Sequence, residues 1–112
     1  MDRPLLRRDD VAEIVRRLEA APEPGAAVAL EAIRARSPLA VAVTLEALRQ
    51  AGRAESLAEV FDRDRVVARN SIEHAEFAEG VRAQLVDKDR SPRWRHARVE
   101  DVTRAEVEAF FA

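Results

Sequence analysis

Apolar residues recur at three- and four-residue intervals along most of this chain, the spacing of one face of an α-helix. Val11, Ile14, Val15 and Leu18 form the first such stripe, behind Asp9 and Asp10, which supply an acidic N-terminal cap. Pro22-Glu23-Pro24-Gly25 breaks it, and a second series follows at Val28, Ala29, Ala32 and Ile33. Ser37-Pro38 reads as a helix start. Serine accepts from a free N–H of the first turn, and proline loses nothing there by lacking its own. The helix it opens, LAVAVTLEAL, has eight apolar residues in ten and no polar face, so it needs cover on more than one side. Gly52 is placed to end it.

Ser56-Leu57-Ala58-Glu59 is a capping box, in which serine and glutamate each satisfy an orphan N–H of the other. The helix beyond carries Leu57, Val60, Phe61, Val67, Ala68 and Ile72, with Asp62-Arg63-Asp64-Arg65 as a solvated face with local ion pairs. A further helix holds Phe77, Ala78, Val81, Leu85 and Val86. Gly80 inside it marks a close packing contact or a break, and Ser91-Pro92 stops it. Thr103-Arg104-Ala105-Glu106 is a second capping box, opening a short helix with Val107, Phe110 and Phe111. No alternating pattern runs longer than Ala97 to Val102. The expected fold is all-α, with five to six short helices in one unit, residues 1–112.

Composition narrows the function. A chain of 112 residues with 47% hydrophobic and 36% charged residues suits one small helical domain. The net charge of −2 gives no global attraction to nucleic acid or anionic lipid. There is no cysteine, hence no disulfide framework or thiolate chemistry. The opening MDRPLLRRDD has no apolar run of signal-peptide length, and the longest apolar stretch, Leu39 to Val43, is far too short for a bilayer. A cytoplasmic protein without membrane or nucleic-acid partners is the expectation.

No catalytic constellation stands out. His74 and His96, the only histidines, lie far apart, and no HExxH spacing offers a metal site. Both read as polar surface or cap residues. Ser37, Ser56, Ser71 and Ser91 read as caps and turn residues, with no base placed to activate a serine. The three glycines are too scattered to cradle a phosphate. We therefore assign no catalytic residue and no metal ligand, and expect no bound cofactor. One segment is distinctive: Lys88, Arg90, Arg93, Arg95 and Arg98 surround Trp94, with Asp87 and Asp89 diluting their charge. Physics alone makes this a charged turn with the tryptophan pinned into the core.

Three blocks bear a resemblance to the C-terminal region of 3-hydroxyisobutyryl-CoA hydrolases, the thioester-hydrolase branch of the crotonase (enoyl-CoA hydratase/isomerase) superfamily. Ser37-Pro38-Leu39-Ala40 with Val43-Thr44-Leu45 is similar to that family's serine-proline helix start and Val-Thr-Leu step. His74-Ala75-Glu76-Phe77-Ala78-Glu79-Gly80-Val81-Arg82-Ala83 resembles its (D/E)F-x-EG(V/I)RA helix. Leu85 to Trp94 resembles its (L/V)-(V/I)-DKD-x-x-P-x-W turn. Asp101-Val102-Thr103 and Phe110-Phe111 resemble its usual end. The likeness runs from about Asp9 to the C-terminus. It departs in the middle helix, where the family's Glu-Tyr-Arg is replaced by Asp64-Arg65-Val66.

The resemblance implies the helical region of a crotonase-superfamily enzyme without its ββα-spiral core, where the oxyanion-hole amides and catalytic carboxylates lie. The chain alone is thus expected to be inactive. By analogy with related hydratases, Lys88 is the expected CoA-side residue, with Arg90 and Arg93 as further candidates. Acyl-CoA would be the parent enzyme's substrate, and a hydratase or isomerase parent is the close variant. Leu39, Val43 and Leu45 are the expected core-docking positions. The expected partner is a crotonase core, in the same gene or a separate chain, or a second copy of this chain through apolar helix faces. The rival reading is a freestanding helical interaction module without chemistry.

Overall fold

The computed structural model describes residues 11–112, and the cap expected at Asp9 and Asp10 lies outside them. Six α-helices follow in order: α1 Val11–Ala20, α2 Pro24–Arg34, α3 Pro38–Arg53, α4 Leu57–Ile72, α5 Ala75–Val81 and α6 Arg104–Glu108. Among the described residues there is no strand, and Ala97 to Val102 contains a 3-10 turn at Val99–Asp101. No helix among them is long and apolar enough to cross a membrane.

The caps explain where helices begin. Ser37 Oγ accepts from the Ala40 N–H at 3.1 Å, with Pro38 in the first turn of α3. Ser56 Oγ accepts from the Glu59 N–H at 3.2 Å, but the Glu59 carboxylate accepts from the Glu55 N–H, so only half of that expected box forms. The Thr103–Glu106 box forms fully. Helix ends depart from expectation. α3 continues through Gly52 to Arg53, because no glycine here adopts positive φ to stop it. α5 passes through Gly80 and widens into a π-helical turn at Arg82–Val86, where the Asp87 N–H donates to the Arg82 carbonyl at 2.8 Å. It therefore ends before Ser91-Pro92.

The core joins α1, α3 and the C-terminal segment: Val11 and Val15, then Leu39, Ala42 and Val43, then Val107 and Phe110. Leu39 is 1% exposed and Val107 fully buried. Truncating Leu39 to alanine would cost about 2–5 kcal/mol, as a buried leucine does when its site cannot collapse. α2 contributes Ala26, with Leu30 and Ile33 packed partly against the core. That stripe, at four- and three-residue steps, replaces the expected series through Val28, which is 69% exposed. α4 has no buried residue. It is tied down by polar bonds: Arg63 donates to the Gln50 carbonyl at 3.0 Å, and Asn70 to the Phe110 carbonyl at 2.9 Å.

Candidate functional site

α5 carries two carboxylates one turn apart, and both reach back to the segment that follows. Glu76 accepts from the Arg95 N–H at 2.9 Å and from the Ser37 hydroxyl. Glu79 accepts from the Arg93 N–H at 2.7 Å. These bonds lay residues 93–95 along α5 and bring Trp94 over Gly80: a Cβ at Gly80 would meet the indole Cη2 at 3.4 Å. Gly80 is thus a packing contact inside a continuous helix, and Trp94, expected to be pinned into the core, is instead half-buried against α5 outside the core cluster.

Arg82 organises the turn. Its Nε and Nη2 bind the two oxygens of Glu79 at 2.9 and 2.7 Å. Its Nη1 binds Asp87 at 2.7 Å and Asp89 at 2.8 Å. The planar fork of arginine suits this bidentate-plus-two arrangement, and an ammonium group does not. Hydrogen bonding from Arg82 and from the Arg93 N–H holds the Glu79 carboxyl down at about 2. Arg82 and the Ser91 N–H likewise lower Asp89. The Asp89 carboxylate also accepts from the Ser91 N–H at 2.9 Å, closing a local turn.

Within that frame Lys88 and Arg90 have φ of 57° and 53°, the left-handed region that side-chain-bearing residues seldom occupy. Each costs roughly 1 kcal/mol, and the surrounding bonds hold them there. The Arg90 N–H donates to the Ala83 carbonyl at 2.9 Å. Lys88, Arg90 and Arg93 are all exposed, and among the described residues none forms a side-chain ion pair. The aspartates flanking Lys88 in sequence are engaged by Arg82 instead.

The three cations do not share one cavity. Arg90 lines a broad groove of about 830 Å³ between α3, α4, α5 and Trp94, walled by Leu48, Val60, Phe77 and Trp94. Arg93 lines a small polar cleft with Glu79, Arg82, Asp89 and Ser91. Lys88 lines neither. Two of the expected docking positions, Leu39 and Val43, are among the residues lining that broad groove. Leu39 and Val43 are 1% and 5% exposed, covered within the chain because their face of α3 meets Val107 and Phe110. Leu45 is partly buried against the same core. The exposed large apolar side chain of α3 is Leu48, at 65%.

The histidines are structural. His74 Nδ1 caps α5, accepting from the Glu76 N–H at 3.0 Å, and its ring lies 5.0 Å from that of Phe110. His96 departs from the surface role expected of it. Its side chain is 8% exposed, and Nε2 lies 3.0 Å from both oxygens of Glu106. Bonds from Thr103, and then from His96, lower the Glu106 carboxyl. Among the described residues no three His, Cys, Asp or Glu side chains are grouped to hold a metal. Sequence reasoning missed Glu76, Glu79 and Arg82 as the residues that shape the turn. Their signal was present: an i, i+3 Glu–Arg pair immediately before two aspartates.

The family model described as enoyl-CoA hydratase/isomerase matches residues 3–111. The chain belongs to that family. It is similar to the mitochondrial 3-hydroxyisobutyryl-CoA hydrolase of Gallus gallus, 42% identical over 91 residues, which cover 81% of this chain and 23% of the relative. An enoyl-CoA hydratase structure from Rhodobacter sphaeroides is 46% identical, with a TM-score of 0.82, over 90% of this chain and 30% of that one. A carnitinyl-CoA dehydratase structure from Mycobacterium thermoresistibile is 39% identical, with a TM-score of 0.84, over 97% and 31%. The chain spans about a quarter of the length of the curated relative. Its six helices are equivalent to the helical region of crotonase-fold enzymes.

Proposed function

We propose that this chain is the C-terminal helical part of an acyl-CoA hydrolase resembling 3-hydroxyisobutyryl-CoA hydrolase, packing on a crotonase core and helping to close its CoA site. The parent reaction is hydrolysis of a short, branched 3-hydroxyacyl-CoA thioester in valine breakdown. The observation that carries the CoA-side role is the Lys88 turn: a lysine in a fixed left-handed conformation, exposed, with its neighbouring aspartates held by Arg82. Such an ammonium meets a phosphate as a point charge. The open apolar groove supports packing on a core, since a large exposed apolar surface marks a contact site.

The chemistry would come from the core. Thioester hydrolysis needs preorganised donors at the developing oxyanion. Here His74 Nδ1 is used as a helix cap, and His96 has Nε2 on Glu106 and Nδ1 buried, so neither histidine offers a basic nitrogen to a substrate.

The test is reconstitution with a separately produced crotonase core. The chain alone should be inactive and the mixture should hydrolyse the thioester. Lys88→Ala should raise KM for acyl-CoA and leave it unchanged for a substrate lacking the 3′-phosphate. Activity that tracks the pure chain, and disappears with one substitution in it, would overturn the reading. An unchanged KM for both substrates would remove Lys88 from the CoA site.

A further inference from the structure

Lys88 stands between two aspartates, and in sequence alone Asp87-Lys88-Asp89 is a net anion that should repel phosphate. The structure separates these charges. Both aspartates, and Glu79, converge on Arg82 at 2.7–2.9 Å. Lys88, Arg90 and Arg93 are left exposed without ion pairs among the described residues. A guanidinium can take three carboxylates in this way because its donors radiate in one plane.

We propose that Arg82 is a positioning residue that makes the Lys88 turn an anion site: by holding Asp87 and Asp89 it keeps the Lys88 ammonium unpaired and the turn left-handed. This rests on the CoA reading for the identity of the anion, the phosphates of CoA, but not for the geometry. Arg82 itself touches no ligand in this scheme. Its donors are spent on Glu79, Asp87 and Asp89, and it acts by deciding where two negative charges lie.

The experiment is an NMR titration of the chain with inorganic pyrophosphate and, separately, with coenzyme A. Arg82→Gln should weaken pyrophosphate binding about fivefold, the scale of one exposed charge interaction. It should also move the Lys88 and Arg90 Cα shifts away from left-handed values. Adding Asp87→Asn and Asp89→Asn to Arg82→Gln should restore pyrophosphate affinity. Asp87→Asn/Asp89→Asn alone, with Arg82 intact, should bind at least as tightly as the unaltered chain, which keeps the test decisive if Arg82→Gln folds poorly. Pyrophosphate affinity unchanged by Arg82→Gln, or not recovered when the aspartates are neutralised, overturns the positioning role. If the pyrophosphate results hold while coenzyme A binding ignores Lys88→Ala, the CoA reading falls and the Arg82 role stands.

Discussion

The Ser37 hydroxyl, at the cap of α3, donates to the carboxylate of Glu76, in the first turn of α5. Ser37 is buried, and the same oxygen accepts from the Ala40 N–H. The other Glu76 oxygen accepts from the Arg95 N–H at 2.9 Å. One carboxylate thus joins a helix start, a helix 39 positions later and the extended tail. Two of the three resemblance blocks meet at this pair, so their joint occurrence has a structural cause.

Glu76→Ala should therefore destabilise the chain by about 1–3 kcal/mol, the range for leaving buried hydrogen-bonding groups without a partner. Ser37→Ala should also destabilise, by about 1–2 kcal/mol, because it removes both the α3 cap and the donor to Glu76. Denaturant midpoints check both. A Glu76→Ala midpoint equal to that of the unaltered chain would show that the tail is held without it.

Acid should release the tail from α5. The Glu79 carboxyl is held at about 2 against a usual 4.5, first by Arg82 and then by the Arg93 N–H. A carboxyl lowered in the folded state stabilises fully above its unfolded value, and that stabilisation is lost as pH falls from 4.5 toward 2. Trp94 is the only tryptophan and follows Arg93 directly, so its fluorescence reports this release. Glu79→Gln should remove the transition between those pH values. Persistence of the same transition in that variant would assign it to another carboxylate.

Helix starts were legible because serine and threonine act locally: Ser37, Ser56 and Thr103 all cap the helices assigned to them. Helix faces were less so. α2 is rich in small apolar residues on every side, so periodicity alone did not separate Ala26, Leu30 and Ile33 from Val28. LAVAVTLEAL read rightly as needing cover, yet which of its positions the chain itself covers depends on Val107 and Phe110, more than sixty positions away. The end of α5 was misplaced because it rests on a π turn and on left-handed Lys88 and Arg90, conformations no residue there advertises. At the site, the Glu79–Arg82 spacing was legible as a helical pair, whereas the bonds from Arg82 to Asp87 and Asp89 were not, because they depend on the π turn between them.

Neither backbone conformation nor the room for one methyl group demands glycine at position 80, but a larger side chain would run into the Trp94 indole. Gly80 has no positive φ, and an added Cβ would touch Trp94 at 3.4 Å, ordinary contact distance. Gly80→Ala should be neutral or stabilising by up to about 1 kcal/mol, since alanine loses less entropy in a helix. Gly80→Leu should displace the indole, shifting Trp94 fluorescence to longer wavelength and lowering the melting temperature. An unaltered spectrum for Gly80→Leu would mean that the indole does not rest on this position.

The groove sets the chain's behaviour in isolation. Leu48 and Phe77 both line it and are 65% and 50% exposed. Burying a side chain of this size contributes about 1.5–3 kcal/mol, so two of them covered by a partner favour association strongly. The isolated chain should self-associate, giving a mass that rises with concentration in sedimentation equilibrium. Leu48→Glu/Phe77→Glu should weaken that association by at least about tenfold, the equivalent of 1.4 kcal/mol. The substitutions lie on exposed positions, so circular dichroism should show the helices retained. The same variant should fail to bind a crotonase core if the core covers this groove. Adding core to the unaltered chain should then dissolve the self-associated form, because one surface cannot serve both. A chain that stays monomeric at high concentration would remove the self-association. A variant that binds the core as well as the unaltered chain would place the contact on another face.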